Sequence, residues 1–140
     1  AIPIYCFDGC KNLEEVKISG ELRIIMDYAF HNCESLSLFS LYCCEYIKTI
    51  CTGAFQGCKN LTFETLDYNV ISGAYDVKLG NYHKPIFWGI FDQDVGNNSV
   101  MIDARAFDLE QVTIRTFEGT AGATLAQELG LKVEYVKDNR

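Results

Sequence analysis

The 140-residue chain is 49% hydrophobic and carries a net charge of −7, so one domain with a real core fits its length. No basic cluster is longer than a pair, which excludes the Lys/Arg footprint that nucleic acid requires. No apolar run reaches the length of a membrane span. The chain opens on Ala, and any targeting segment is expected to have been removed.

The first segment, "YCFDGCKNL" (5–13), returns as "YAFHNCESL" (28–36) and as "GAFQGCKNL" (53–61). Phe7, Phe30 and Phe55 lead these units, followed by Cys10, Cys33 and Cys58 and then by Leu13, Leu36 and Leu61 at fixed offsets. Ile2, Ile25 and Ile50 stand five residues ahead of the aromatics, and the pairs Val16/Ile18 and Phe39/Leu41 continue the register beyond the leucines. A unit of 23 to 25 residues cannot bury its own apolar side, so its neighbours must do so and equivalent residues should form ladders. "EEVKISG" alternates with the period of a strand, Val16 and Ile18 inward and Glu15 and Lys17 outward, while Gly20 breaks any helical reading.

Further along, "VISGAY" (70–75) matches "ICTGAF" (50–55) and puts Tyr75 in the aromatic slot. "IDARAF" (102–107) ends on Phe107, and Val112 and Ile114 then supply the strand pair with the Cys-bearing turn deleted. Glu64 stands in the slot of Val16 and Phe39, so either the strand shifts its register there or the acid sits at a rim. In the tail, Thr120 reads as an N-cap, Ala123 to Leu129 as helix, Gly130 as its stop and "KVEYV" as a final strand.

The unit I-x-x-x-(A/C)-F-x-x-C-x-x-L resembles the BspA-type leucine-rich repeats of bacterial surface proteins, over nearly the whole chain. That resemblance implies an α/β-type solenoid, mostly strand and loop: a right-handed coil with a parallel sheet, closed by a short C-terminal helix and strand. Residues 1–140 then form a single domain, with repeats over about 1–66, irregular repeats over 67–115 and a cap over 116–140. The chain starts part-way through a unit, which suggests the C-terminal piece of a longer array.

Candidate chemistry is sparse. One Cys per unit spreads thiols along a line, whereas zinc ligands converge in closely spaced pairs, so no metal site is expected and the thiols read as small buried residues. Stacked Cβ atoms lie too far apart for disulfides between equivalent positions. Cys6, in the slot of Ala29 and Ala54, reads as packing, and Cys43, Cys44 and Cys51 lie outside the ladder, where any oxidation is expected. His31 shares its place with Asp8 and Gln56, a solvated loop position with nothing to orient a base. "DQDVGNNSV" (92–100) is out of step with a calcium loop, and "GTAGAT" lacks the Lys of a phosphate cradle. No catalytic residue and no cofactor are assigned, because the set of nucleophile, base and oxyanion donor cannot be filled.

"YHKPIFWGIF" (82–91) breaks the pattern and holds the only Trp. Its aromatics either fill a widened core or form a binding patch. The candidate ligand-binding residues are Lys17 on the outer side of the sheet and Tyr82, His83, Trp88 and Phe91 in the irregular segment; Ser40, Thr65 and Thr113 are expected outward as well. The resemblance implies a non-enzymatic, secreted or cell-surface adhesion module with a protein or glycan partner outside the cell. A structural spacer or cap within a larger surface protein is the alternative, and a thiol-dependent enzyme is the third reading.

Overall fold

The computed structural model describes residues 1–18, 22–41, 49–65, 76–80, 99–103, 105–118, 123, 126–127 and 130–136. Two parallel sheets account for nine strands among these residues: β1 (Glu15–Lys17), β2 (Ile24–Ile25), β3 (Leu38–Ser40), β4 (Thr49–Ile50), β5 (Leu61–Thr65), β6 (Asp76–Gly80), β7 (Ser99–Asp103), β8 (Val112–Thr116) and β9 (Lys132–Tyr135). One sheet has the order β1-β3-β5-β8-β9 and the other β2-β4-β7-β6. Up to β5 the chain alternates between the sheets, and each unit gives one short strand to each. All pairs are parallel because every unit travels the same way round.

The isoleucines define the second sheet. Ile2 bridges to Ile25, Ile25 pairs with Ile50, and Ile50 pairs with Ile102. Between the sheets the aromatics form two columns. Phe7, Phe30, Phe55 and Phe107 stack face to face with centroids 5.1, 5.4 and 5.2 Å apart. Phe39 and Phe63 stack at 5.4 Å and meet the first column edge-on. Ring faces are negative and edges positive, so the columns attract each other at right angles. Parallel strands repeat at about 4.8 Å, close to the ring spacing, so one strand geometry sets both.

Phe107, rather than a further unit, follows Phe55. The two are joined by a bridge, β4 pairs with β7 and β5 pairs with β8. This corrects the placement of Tyr75 as a rung between them: a ring spacing of 5.2 Å leaves no room for one, and Tyr75 itself lies outside the described residues. β6 precedes β7 in the chain but lies on its far side, with Leu79 in register with Ile102.

The strand register resolves the two readings of Glu64. Phe63, not Glu64, aligns with Phe39, and Glu64 aligns with Ser40. Phe39 follows Phe30 by nine residues while Phe63 follows Phe55 by eight, so the shorter turn shifts the alternation by one and sends the acid outward.

Two turn positions in each unit take left-handed backbone. Tyr5, Tyr28 and Gly53 form one such row, and Gly9, Asn32 and Gly57 the other. In both rows the glycine is also a matter of space. A Cβ on Gly53 would collide with the Tyr28 ring, and one on Gly57 with Asn32.

At the C-terminal end, Ala123, Ala126 and Gln127 are helical, but no helix is seen as an element among the described residues. Gly130, at φ +67°, donates to the Gln127 carbonyl, and Leu131 donates to that of Ala126. This is the bond pair that ends a helix at glycine and turns the chain into β9. Most of the expected helix, with Thr120, lies outside the described residues.

Candidate interaction surface

The outer face of the five-stranded sheet is built from the strand residues that alternate with the core. Its first row reads Glu15, Leu38, Thr62, Thr113 and Lys132 across the sheet, and its second Lys17, Ser40, Glu64, Arg115 and Glu134. Between the rows, Val16, Phe39, Phe63, Ile114 and Val133 point the other way.

The second row is internally bonded. Ser40 Oγ donates to Glu64 Oε1 at 2.7 Å, and Arg115 Nη1 meets Glu64 Oε2 at 3.2 Å. Arg115 Nε faces Glu134 Oε1 at 3.8 Å, too long for a hydrogen bond. Glu64 is largely covered, its side chain 12% exposed, whereas Arg115 keeps 41% and Glu134 61% of theirs. The row therefore runs from a free ammonium at Lys17, through a covered hydroxyl–carboxylate pair, to a guanidinium and a carboxylate open to solvent. Thr65, expected outward, does not belong to it, because the register shift gives that place to Glu64.

Lys17 is exposed on β1. Tyr82, His83, Trp88 and Phe91 lie outside the described residues, so Lys17 is not brought together with them here.

The turns carry a pair that reading the sequence position by position misses. His31 Nδ1 lies 2.9 Å from Asp8 Oδ1, and the imidazole stands edge-on to Tyr28. Asp8 and His31 occupy equivalent slots in successive units. Stacking turns such sequence equivalence into contact, and that is the signal that would have found the pair. In the same row Asp108 Oδ2 accepts the Gly57 N–H at 2.8 Å.

The thiols serve as donors. Cys33 Sγ donates to the Phe7 carbonyl at 3.1 Å, and Cys58 Sγ to that of Phe30 at 3.2 Å. Each thiol thus ties its unit to the one before. Burial, the largest influence, pushes Cys33 up to about 11 and Cys58 up to about 12. Cys51 is pushed up to about 12 by burial first and then by the negative charge and hydrogen bond of Asp27. Thiols held protonated in this way are poor nucleophiles. Cys51 is free and buried, which corrects the expectation that it would take part in oxidation; Cys43 and Cys44 lie outside the described residues. Cys6, placed in the slot of the buried Ala29 and Ala54, is exposed, because its unit has a described neighbour on one side only. Among the described residues no three metal-ligating side chains converge, and no helix is long and apolar enough to cross a membrane.

A family model described as the BspA type leucine rich repeat region matches residues 1–75, in six copies. The chain belongs to the BspA-type leucine-rich repeat family. The match and the two parallel sheets agree on a repeat fold. BspA-type repeats generally act as interaction modules rather than enzymes, and the proteins carrying them are typically bacterial surface or secreted proteins. No curated protein and no solved structure matches the chain.

Proposed function

We propose that the chain is a non-enzymatic recognition module that works outside the cell as an adhesive surface. On this reading residues 1–140 act as one domain, wound as a right-handed solenoid, and grip a protein or glycan partner with the outer face of the five-stranded sheet. The observation that carries the proposal is the in-register row Lys17, Ser40, Glu64, Arg115 and Glu134, which lays donors and acceptors at fixed intervals on a flat support. Rigid sheets hold such groups without an ordering cost when a partner binds. Lys17 and Arg115 supply the cationic contacts, Arg115 with its forked geometry. Tyr82, His83, Trp88 and Phe91 supply the aromatic contacts, which contribute much binding energy for little lost entropy.

A panel of immobilised extracellular-matrix proteins and glycans, probed with the full chain, tests this reading. A ligand found in the panel should lose about tenfold or more in affinity with Arg115→Ala and again with Trp88→Ala, each worth at least about 1.4 kcal/mol. A ligand whose affinity ignores both substitutions overturns the assignment of this face. A spacer without a ligand of its own would bind nothing across the panel.

A further inference from the structure

The two edges of the five-stranded sheet fit each other. β1 and β9 are its outermost strands. On β1, the bonds from Leu38 N–H to the Glu14 carbonyl and from Ile18 N–H to the Ser40 carbonyl fix which groups face β3. By the alternation of a parallel ladder, the N–H and C=O groups of Glu15 and Lys17 then point off the sheet. On β9, the bond from Val136 N–H to the Thr116 carbonyl turns Lys132 and Glu134 toward β8 and leaves the backbone of Val133 and Tyr135 pointing outward. No hydrogen bond reaches either edge among the described residues.

Continuing the register of the sheet from β9 onto the β1 of another molecule sets Val133 beside Val16, Lys132 beside Glu15 and Glu134 beside Lys17. Both outward pairs then have opposite charge, and all four charged side chains are exposed. The inward pair is apolar, and Val133 is 39% exposed on its own strand. Hydrogen-bond polarity fits as well: Val133 N–H meets the Glu15 carbonyl, Lys17 N–H meets the Val133 carbonyl, and Tyr135 N–H meets the Lys17 carbonyl, the pattern of every other pair in the sheet. The same two ends expose the large side chains Tyr5 and Phe7 on one and Tyr135 on the other.

We propose that the protein associates head to tail with a second copy of itself, β9 of one molecule adding in parallel to β1 of the next. The contact is heterologous, so a dimer keeps one edge of each kind free and growth continues into open chains. Each addition lengthens the outer face by another five strands.

Sedimentation velocity on the full chain over a concentration series tests the proposal. Association should rise with concentration, and a protein that stays monomeric at about 1 mM overturns it. Reversing the β1 charges with Glu15→Lys and Lys17→Glu sets like charges side by side and should weaken association about tenfold or more. Reversing β9 with Lys132→Glu and Glu134→Lys should do the same. A chain carrying all four changes restores both pairs and should return to within about threefold of the parent. Val133→Pro is the independent variant, because it deletes an outward donor while sparing the bonds to β8, and it should also cost about tenfold. Association that survives the β1 reversal indicates antiparallel pairing of β9 with β9 and overturns the head-to-tail arrangement. Failure of the four-fold variant to recover, with its unfolding transition intact, overturns the charge pairing.

Discussion

The interior and the outer face of the five-stranded sheet are laid on the same strands, and they follow opposite rules. Inside, like sits on like: Phe30 on Phe55, Phe39 on Phe63 and Ile25 on Ile50. Outside, neighbours differ and complement one another, as in Ser40 with Glu64, Glu64 with Arg115, and Asp8 with His31 in the turns. Parallel in-register stacking gives both results. Dispersion between identical apolar groups is always attractive, so repetition is favoured where water is absent. Identical charges stacked on one another repel, so a polar row is stable only if its members alternate or hold a shared hydrogen bond.

The interior rule is broken most severely at Phe55, which is fully buried and in contact with four other rings. Phe55→Ala should lower the unfolding free energy by about 3–5 kcal/mol in a denaturant titration. The same change at Phe7, 39% exposed at one end of the column, should cost less than half as much. Equal losses would mean that the column does not share its load unevenly from middle to end.

Next in size are the two glycines of one turn row. Gly57→Ala combines left-handed backbone at φ +83° with a collision against Asn32, and should cost about 2–3 kcal/mol. Gly9→Ala meets the same backbone demand at φ +72° but open space, and should cost about 1–2 kcal/mol. The difference between them, read from thermal or denaturant unfolding, isolates the stacking contact from the backbone.

The buried thiols give a pH test. Cys51 ionises near pH 9 in the unfolded chain but near 12 when folded. Above pH 9 the unfolded state therefore binds fewer protons than the folded one, and stability falls as pH rises toward 12, with no contribution below pH 9. Cys51→Ala should flatten this alkaline limb, measured by denaturant midpoints across the range; an unchanged slope would show that Cys51 is open to solvent.

The smallest effect belongs to the outer face. Glu64→Gln keeps an acceptor for Ser40 and removes the charge opposite Arg115, so it should cost under about 1 kcal/mol and lose that effect in high salt. A larger, salt-insensitive loss would make this row part of the core and erase the contrast between the two faces.

The period was legible because Phe, Cys and Leu return at fixed offsets and because the strand "EEVKISG" alternates without ambiguity. The order of units past Phe55 was not. "VISGAY" copies "ICTGAF" locally, yet the strand that pairs with β4 is β7, with β6 set beyond it. Local similarity identifies a conformation that a segment tolerates, whereas pairing is decided by which strand completes the sheet. The outer row was half legible. Lys17 and Ser40 follow from alternation, but Glu64 in place of Thr65 depends on a turn one residue shorter.

The sequence by itself determined that this chain repeats, that each repeat lends an aromatic, an isoleucine and a thiol to a shared interior, and that no catalytic constellation accompanies them. These are properties of spacing, and spacing is a one-dimensional quantity. Tertiary structure decided which units touch, where the register slips, and which charges become neighbours across units. Those outcomes depend on contacts between residues some 23 to 51 positions apart, where the meaning of one side chain is set by what the stack places beside it.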